Sequence, residues 1–105
     1  MMNEKMIEKI EEVVMNVTGC GNVTNEEISF CSGRMDLETY IPIDDLNTIE
    51  EVKDRVFDYY QAYDVDEEVK LWLQCKDAPY VETMIYNLKA VEENLEDLAI
   101  ALAAA

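Results

Sequence analysis

The feature that most constrains the fold is a long apolar repeat in the last quarter of the chain. Between about residues 79 and 102, apolar side chains recur in alternating steps of three and four residues. This spacing places them on one face of an α-helix that is about three heptads long. The seam consists of Val81, Met84, Leu88, Val91, Leu95, Leu98 and Leu102. It predicts either a helix packed on its own domain or a helix that also pairs with a partner or a second copy.

In residues 27–43, the period of the apolar pattern changes from the 3.6 residues of a helix to the two residues of a strand. Ile28 and Phe30 alternate with polar residues, and the alternation resumes after the turn signal at residues 32–34. This pattern predicts an antiparallel β-hairpin with one buried face. Pro42 has no backbone N–H, so the second strand ends there or lies on an edge.

Three further segments have helical patterns. Residues 3–17 place Met6, Ile10, Val13 and Val17 on one face, and two glycines follow. A second helix begins near Asn47 or Thr48 and a third covers about residues 66–75, with Val65, Val69, Trp72 and Leu73 on one face. Residues 69–73 also alternate, so a strand is the alternative there.

The predicted fold class is therefore α+β. An N-terminal helix precedes a small antiparallel sheet at about 27–43, and two or three helices follow, the last at about 79–102. Pro79 and Asp77 predict where that last helix begins. The length of 105 residues predicts a single domain at 1–102, and residues 103–105 are expected to lie outside it as a disordered or cloning tail.

Composition excludes several classes of function. The chain has 24 acidic residues, 8 basic residues and no histidine, for a net charge of −16. Direct binding to nucleic-acid phosphates needs clustered cations, which this chain lacks. Without histidine, neither a His-based zinc site nor a Ser-His-Asp triad can form. No catalytic motif is present, and the prediction is a protein without enzymatic activity and without a cofactor.

The apolar runs, the first residues and the cysteines of the chain bear on its compartment and redox state. No apolar run reaches the length of a membrane span, and residues 1–5 do not resemble a signal peptide. The chain is expected to be cytoplasmic. Its three cysteines form no CxxC pair and are expected to be reduced thiols, mostly buried or incidental.

Acidic residues concentrate in the middle of the chain. Residues 44–70, hereafter the acidic block, contain ten acids and three bases, for a net charge of −7. The acids of the block are Asp44, Asp45, Glu50, Glu51, Asp54, Asp58, Asp64, Asp66, Glu67 and Glu68. Asp36 and Glu38 add two carboxylates on one side of a predicted strand.

Carboxylates in rows on helices and strands have spacings close to those of successive phosphates. Glu50, Asp54 and Asp58 stand at i, i+4 and i+8, about 6 Å apart from one to the next. Such a row can occupy a basic groove built for DNA or RNA. The alternative is an ordinary solvated surface that keeps a small protein soluble.

Residues 64–68 also offer oxygen ligands for calcium or magnesium. They lack the spacing of an EF-hand loop, and acids are expected in the first turn of a helix. A helix N-terminus is the favoured interpretation, and no metal site is predicted.

Three stretches resemble short acidic proteins of phages and prophages of Gram-positive bacteria. They are Tyr63–Leu73, Ala78-Pro79-Tyr80 and Leu95–Ala99 within the acidic last helix. In size and charge the chain is also similar to small anti-CRISPR and anti-restriction proteins that act as DNA mimics. The first resemblance carries no assigned activity, so no functional residues are transferred.

The resulting hypothesis is an inhibitor in a bacterial host cell. Its partner would be a basic nucleic-acid-binding protein, a Cas nuclease or a restriction enzyme, and the chain would act as a monomer or a homodimer. The alternative is a helical adaptor or structural phage protein that self-associates through the 81–102 seam.

Overall fold

The structure, a computed structural model, describes residues 2–32, 37–75 and 81–105. Four helices and a three-stranded sheet make up this part of the chain, and no helix in it is long and apolar enough to cross a membrane. The elements in chain order are α1 (Glu4–Thr18), β1 (Asn22–Val23), β2 (Glu27–Ser32), β3 (Leu37–Pro42), α2 (Ile49–Ala62), α3 (Val65–Cys75) and α4 (Val81–Ala104). The predicted α+β class and element order are confirmed.

Helix α1 has a defined cap at each end. The Asn3 side chain accepts a hydrogen bond from the Met6 N–H at 3.0 Å. Gly19 ends the helix in the left-handed region with φ 75°, and its N–H donates to the Met15 carbonyl. The buried stripe is rotated slightly from the predicted one, because Val14 is fully buried whereas Val13 is only half-buried.

The sheet is antiparallel in the order β1-β2-β3. Ile28 and Phe30 of β2 and Ile41 of β3 point into the core, as the period of two predicts. Strand β1 has only two residues, which are too few to show a period of two. The sequence therefore gives no clear signal for β1. The predicted turn includes Gly33 and Arg34, which lie outside the described residues.

Helix α4 is the centre of the molecule. It packs against α1, α2 and α3, and against β2 and β3 of the sheet. Six of the seven seam residues are buried and Val81 is half-buried. At the polar edge of this interface, Asn94 Nδ2 donates a 2.6 Å hydrogen bond to Ser32 Oγ. The amphipathic pattern is therefore used to build the core of this domain.

Segment 65–75 is helical, which decides between the two structures predicted for it. Val65, Val69 and Trp72 are half-buried. Leu73 was predicted on the same face but is 43 % exposed, because it lies at the edge of the short interface between α3 and α4.

The structure describes the C-terminal end of α4 but not the residues predicted at its start. Asp77 and Pro79, predicted at its start, lie outside the described residues. At the other end the helix continues through Ala104, although the last three alanines are exposed.

Candidate functional site

Helix α2 holds the central acids of the acidic block on the surface. Thr48 caps it: its Oγ1 accepts a hydrogen bond from the Glu51 N–H at 3.2 Å, and its hydroxyl donates to the Glu51 carboxylate at 3.1 Å. Val52 and Val56 are fully buried on the opposite side. Because buried and exposed positions are fixed by this packing, four carboxylates point to solvent. These are Glu50, Glu51, Asp54 and Asp58.

The connection to α3 supplies the second group of acids. The Asp64 carboxylate caps α3, accepting from the N–H groups of Asp66 at 3.0 Å and Glu67 at 3.2 Å. Asp64, Asp66 and Glu67 remain exposed, and Glu68 is half-buried. The cap accounts for the local density of carboxylates, as a helix N-terminus favours negative charge.

All three cations of the acidic block form ion pairs inside it. Arg55 binds Asp45 with both terminal nitrogens, at 3.0 and 2.8 Å, and also donates to the Pro42 carbonyl at 2.8 Å. The hydrogen bond from Arg55 holds the pKa of Asp45 below its usual range. Lys53 pairs with Glu50 at 2.6 Å, and Lys70 pairs with Glu67 at 3.1 Å.

Those three pairs leave most of the block's charge uncompensated. Within residues 2–32, 37–75 and 81–105, no other ion pair involves its acids. The seven acids without a cation are Asp44, Glu51, Asp54, Asp58, Asp64, Asp66 and Glu68. The block therefore presents a surface of net negative charge that the rest of the described chain does not neutralise through ion pairs.

Tyr63 marks the place where three elements bring acids together. It links α2 to α3 and lies between two shallow grooves, one of them about 470 Å³ in volume and lined by Asp58 and Glu68. The other groove is lined by Asp64, Asp66 and Glu92 of α4, with Lys89 beside them. Burial, followed by the charges of Glu68 and Glu92, raises the pKa of Tyr63 to about 12.

The contribution of Glu92 was missed in the sequence. Glu92 lies in α4, 24 residues after Glu68, and only the packing of α4 against α2 and α3 brings it near Tyr63. Its position next to Val91 of the seam shows that it borders the buried face. No pattern in the sequence specifies which neighbour that face meets.

Of the two acids predicted on a strand, the structure describes Glu38. Glu38 is exposed on the outer face of β3 and accepts a hydrogen bond from the Tyr40 hydroxyl, which raises the pKa of Tyr40. It lies four residues before Pro42, about 13 Å away along the strand. Asp36 lies outside the described residues. Of the predicted binding residues, those on α2 are exposed, Asp66 and Glu67 of α3 are exposed, and Glu38 is exposed on β3.

The structure places both the seam and the acids at 64–68, for which no metal site was predicted. Other elements of the same chain pack on the seam, and six of its seven side chains are buried while Val81 is half-buried. In the described ranges, no group of three or more His, Cys, Asp or Glu residues is arranged to hold a metal ion. Of the dense acids at 64–68, Asp64 accepts hydrogen bonds from backbone N–H groups at the start of α3.

Comparisons of the chain with protein families, with characterised proteins and with solved structures find no significant match.

Proposed function

We propose that this chain is a non-enzymatic protein whose acidic block occupies the basic nucleic-acid groove of another protein. The observation that carries the proposal is the exposure of nine of the ten acids in residues 44–68, only three of which are paired with a cation. A surface of this kind attracts a cationic groove and repels nucleic acid itself.

The density of charge along the molecule supports this proposal. The chain is elongated, 45 Å by 22 Å by 22 Å, and carries a net charge of −16. Spread along the long axis, that is one negative charge per about 2.8 Å, compared with about 1.7 Å for duplex DNA and about 3.4 Å for one of its strands. A groove that holds nucleic acid would meet a comparable charge on this protein.

The proposed mechanism is competition for the groove. Long-range attraction would speed encounter with the basic partner, and each Lys or Arg that leaves phosphate would find a carboxylate. A bacterial Cas nuclease is the first partner class to test, and a restriction enzyme is the second. Both act through basic surfaces that hold DNA or RNA, and the inhibitor would block substrate access without any chemical step.

The test compares two triple variants with the same net charge. Glu50→Lys, Asp54→Lys and Asp58→Lys reverse the outer row of α2. The matched control reverses three exposed acids of α1: Glu8→Lys, Glu11→Lys and Glu12→Lys. Inhibition of DNA cleavage is then measured for purified Cas nucleases and restriction enzymes at about 50 and 200 mM salt.

We expect inhibition by the native chain to weaken steeply at the higher salt concentration. The α2 variant should lose about tenfold or more in potency, and the α1 variant should lose much less. Equal potency of the α2 variant and the native chain would refute the role of this row. Equal losses in both variants would mean that only net charge matters and that no particular surface docks.

A further inference from the structure

Two cysteines lie together at the β1 edge of the sheet. Cys20 follows α1, and its thiol donates a hydrogen bond to the backbone carbonyl of Cys31 on β2, with Sγ and O 3.2 Å apart. Cys20 is exposed and Cys31 is half-buried, and both are thiols in the structure. The third cysteine, Cys75, is at the end of α3.

The strand register, when continued two residues before β1, sets these two cysteines opposite each other. Asn22 pairs with Ser29, and Val23 pairs with Ile28. The same alignment, extended from β1 (Asn22–Val23) to the preceding bend, matches Cys20 with Cys31. Opposite residues of an antiparallel pair have Cα atoms about 4.5–5.5 Å apart, and a disulfide spans about 4.4–6.8 Å.

The backbone before β1 keeps Cys20 at this position. Gly19 adopts φ 75° and turns the chain out of α1. Gly21 passes so close to α1 that a Cβ there would lie 2.1 Å from Val14 Cγ1. Between them, the Cys20 N–H donates to Thr18 Oγ1 at 3.4 Å. Since both neighbours of Cys20 are constrained, its thiol stays near β2 while remaining open to solvent.

We propose that Cys20 and Cys31 form a reversible disulfide with a small-molecule disulfide, such as oxidised glutathione, as the oxidant. The Cys20 thiolate attacks one glutathione sulfur and releases a glutathione thiolate. The Cys31 thiolate then attacks the Cys20 sulfur and releases the second. One S–S bond is broken and one is formed, two electrons pass to glutathione, and the two thiol protons end on its thiols.

This bond would join the segment between α1 and β1 to strand β2. It closes a loop of only twelve residues, from 20 to 31, and leaves the carboxylates of the acidic block unchanged. The disulfide is thus a modification site independent of the proposed binding function. Its expected effect is on the stability of the β1 edge, since closing a loop restricts the unfolded chain.

The test uses the full chain with oxidised and reduced glutathione, once folded and once in urea. Proteolytic mapping without reductant then identifies which cysteines are linked. We expect a Cys20–Cys31 link in the folded chain, at an equilibrium constant about tenfold or more above that in urea. Oxidation should also raise the Tm by about 10 °C.

A Cys75→Ser variant, which retains only the two relevant thiols, should behave in the same way. Adding Cys31→Ser to it should remove both the link and the rise in Tm. The proposal is overturned if the folded native chain yields stable glutathione adducts at Cys20 with no Cys20–Cys31 link. Linkage that forms only in urea would also overturn it, and neither result depends on the variants folding.

Discussion

At the scale of single residues, the ion pair between Arg55 and Asp45 differs from the other two ion pairs of the acidic block. The bidentate contact between Arg55 and Asp45 also reaches the Pro42 carbonyl, so it joins α2 to the end of β3 and the following loop. The other two ion pairs of the acidic block connect residues three apart within one helix. Of these three ion pairs in the described part of the chain, the Arg55 contact is therefore the one that links separate elements.

Loss of the Asp45 carboxylate should give a pH-dependent loss of stability. Arg55 lowers the pKa of Asp45 in the folded chain, so its contribution is present above the ordinary Asp pKa and is lost as pH falls through the folded value. We expect Asp45→Asn to lower the Tm at about pH 7, and the difference to vanish at about pH 2. Thermal melts across this range test it, with Asp44→Asn as the control. A Tm difference that does not change with pH would contradict the assignment.

Gly21 is required by the close approach of β1 to α1. An added Cβ would lie 2.1 Å from Val14 Cγ1 and 2.9 Å from Thr18 Oγ1. We expect Gly21→Ala to lower the free energy of unfolding by about 1–3 kcal/mol. In a double-mutant cycle measured by urea denaturation, Val14→Ala should reduce this penalty because it removes the closest atom. Additive losses in the cycle would show that the penalty arises elsewhere.

At the scale of elements, α4 determines the stability of the domain because every other helix packs on it. Its apolar side chains range from fully buried to exposed. Leu95 is 0 % exposed, whereas Ile100, five residues later on the same helix, is 61 % exposed. The two positions allow a matched comparison of truncations in one element.

We expect Leu95→Ala to lower the free energy of unfolding by about 2–5 kcal/mol, through lost burial and the cavity left behind. Ile100→Ala should change it by less than about 0.5 kcal/mol, because that side chain contributes little buried area. Urea denaturation of both variants measures the difference. Sedimentation of the native chain at several concentrations shows independently whether the chain self-associates. Similar losses at the two positions would mean that Ile100 is buried in an assembly.

At the scale of the whole molecule, the net charge of −16 opposes compaction. Salt screens repulsion between exposed charges over about 10 Å at 0.1 M. We therefore expect the Tm to rise when NaCl is increased from about 10 to 200 mM. The α2 triple variant, whose net charge is −10, should show a smaller rise. A Tm that falls with added NaCl would show that ion pairs outweigh the repulsion.

The sequence predicts the fold well where a period is long. The seven seam residues define α4, and the alternation around Phe30 and Ile41 defines the hairpin. The sequence does not predict features that depend on contacts between segments far apart in the chain. The edge strand β1 is stabilised by β2 and α1, and Glu92 joins the acids near Tyr63 only through helix packing. Exposure of the acidic block follows from the helical pattern, but its ion pair across to the loop at Asp45 does not.

The central position of α4 has a consequence for biosynthesis. A ribosome makes α1, the sheet, α2 and α3 before it makes the helix on which they pack. Until then Ile10, Phe30 and Val56 have no complete core to enter, so the growing chain carries uncovered apolar faces on four preceding parts. We expect the strong negative charge of the same segments to keep such chains apart, and so to limit aggregation in the interval before α4 emerges.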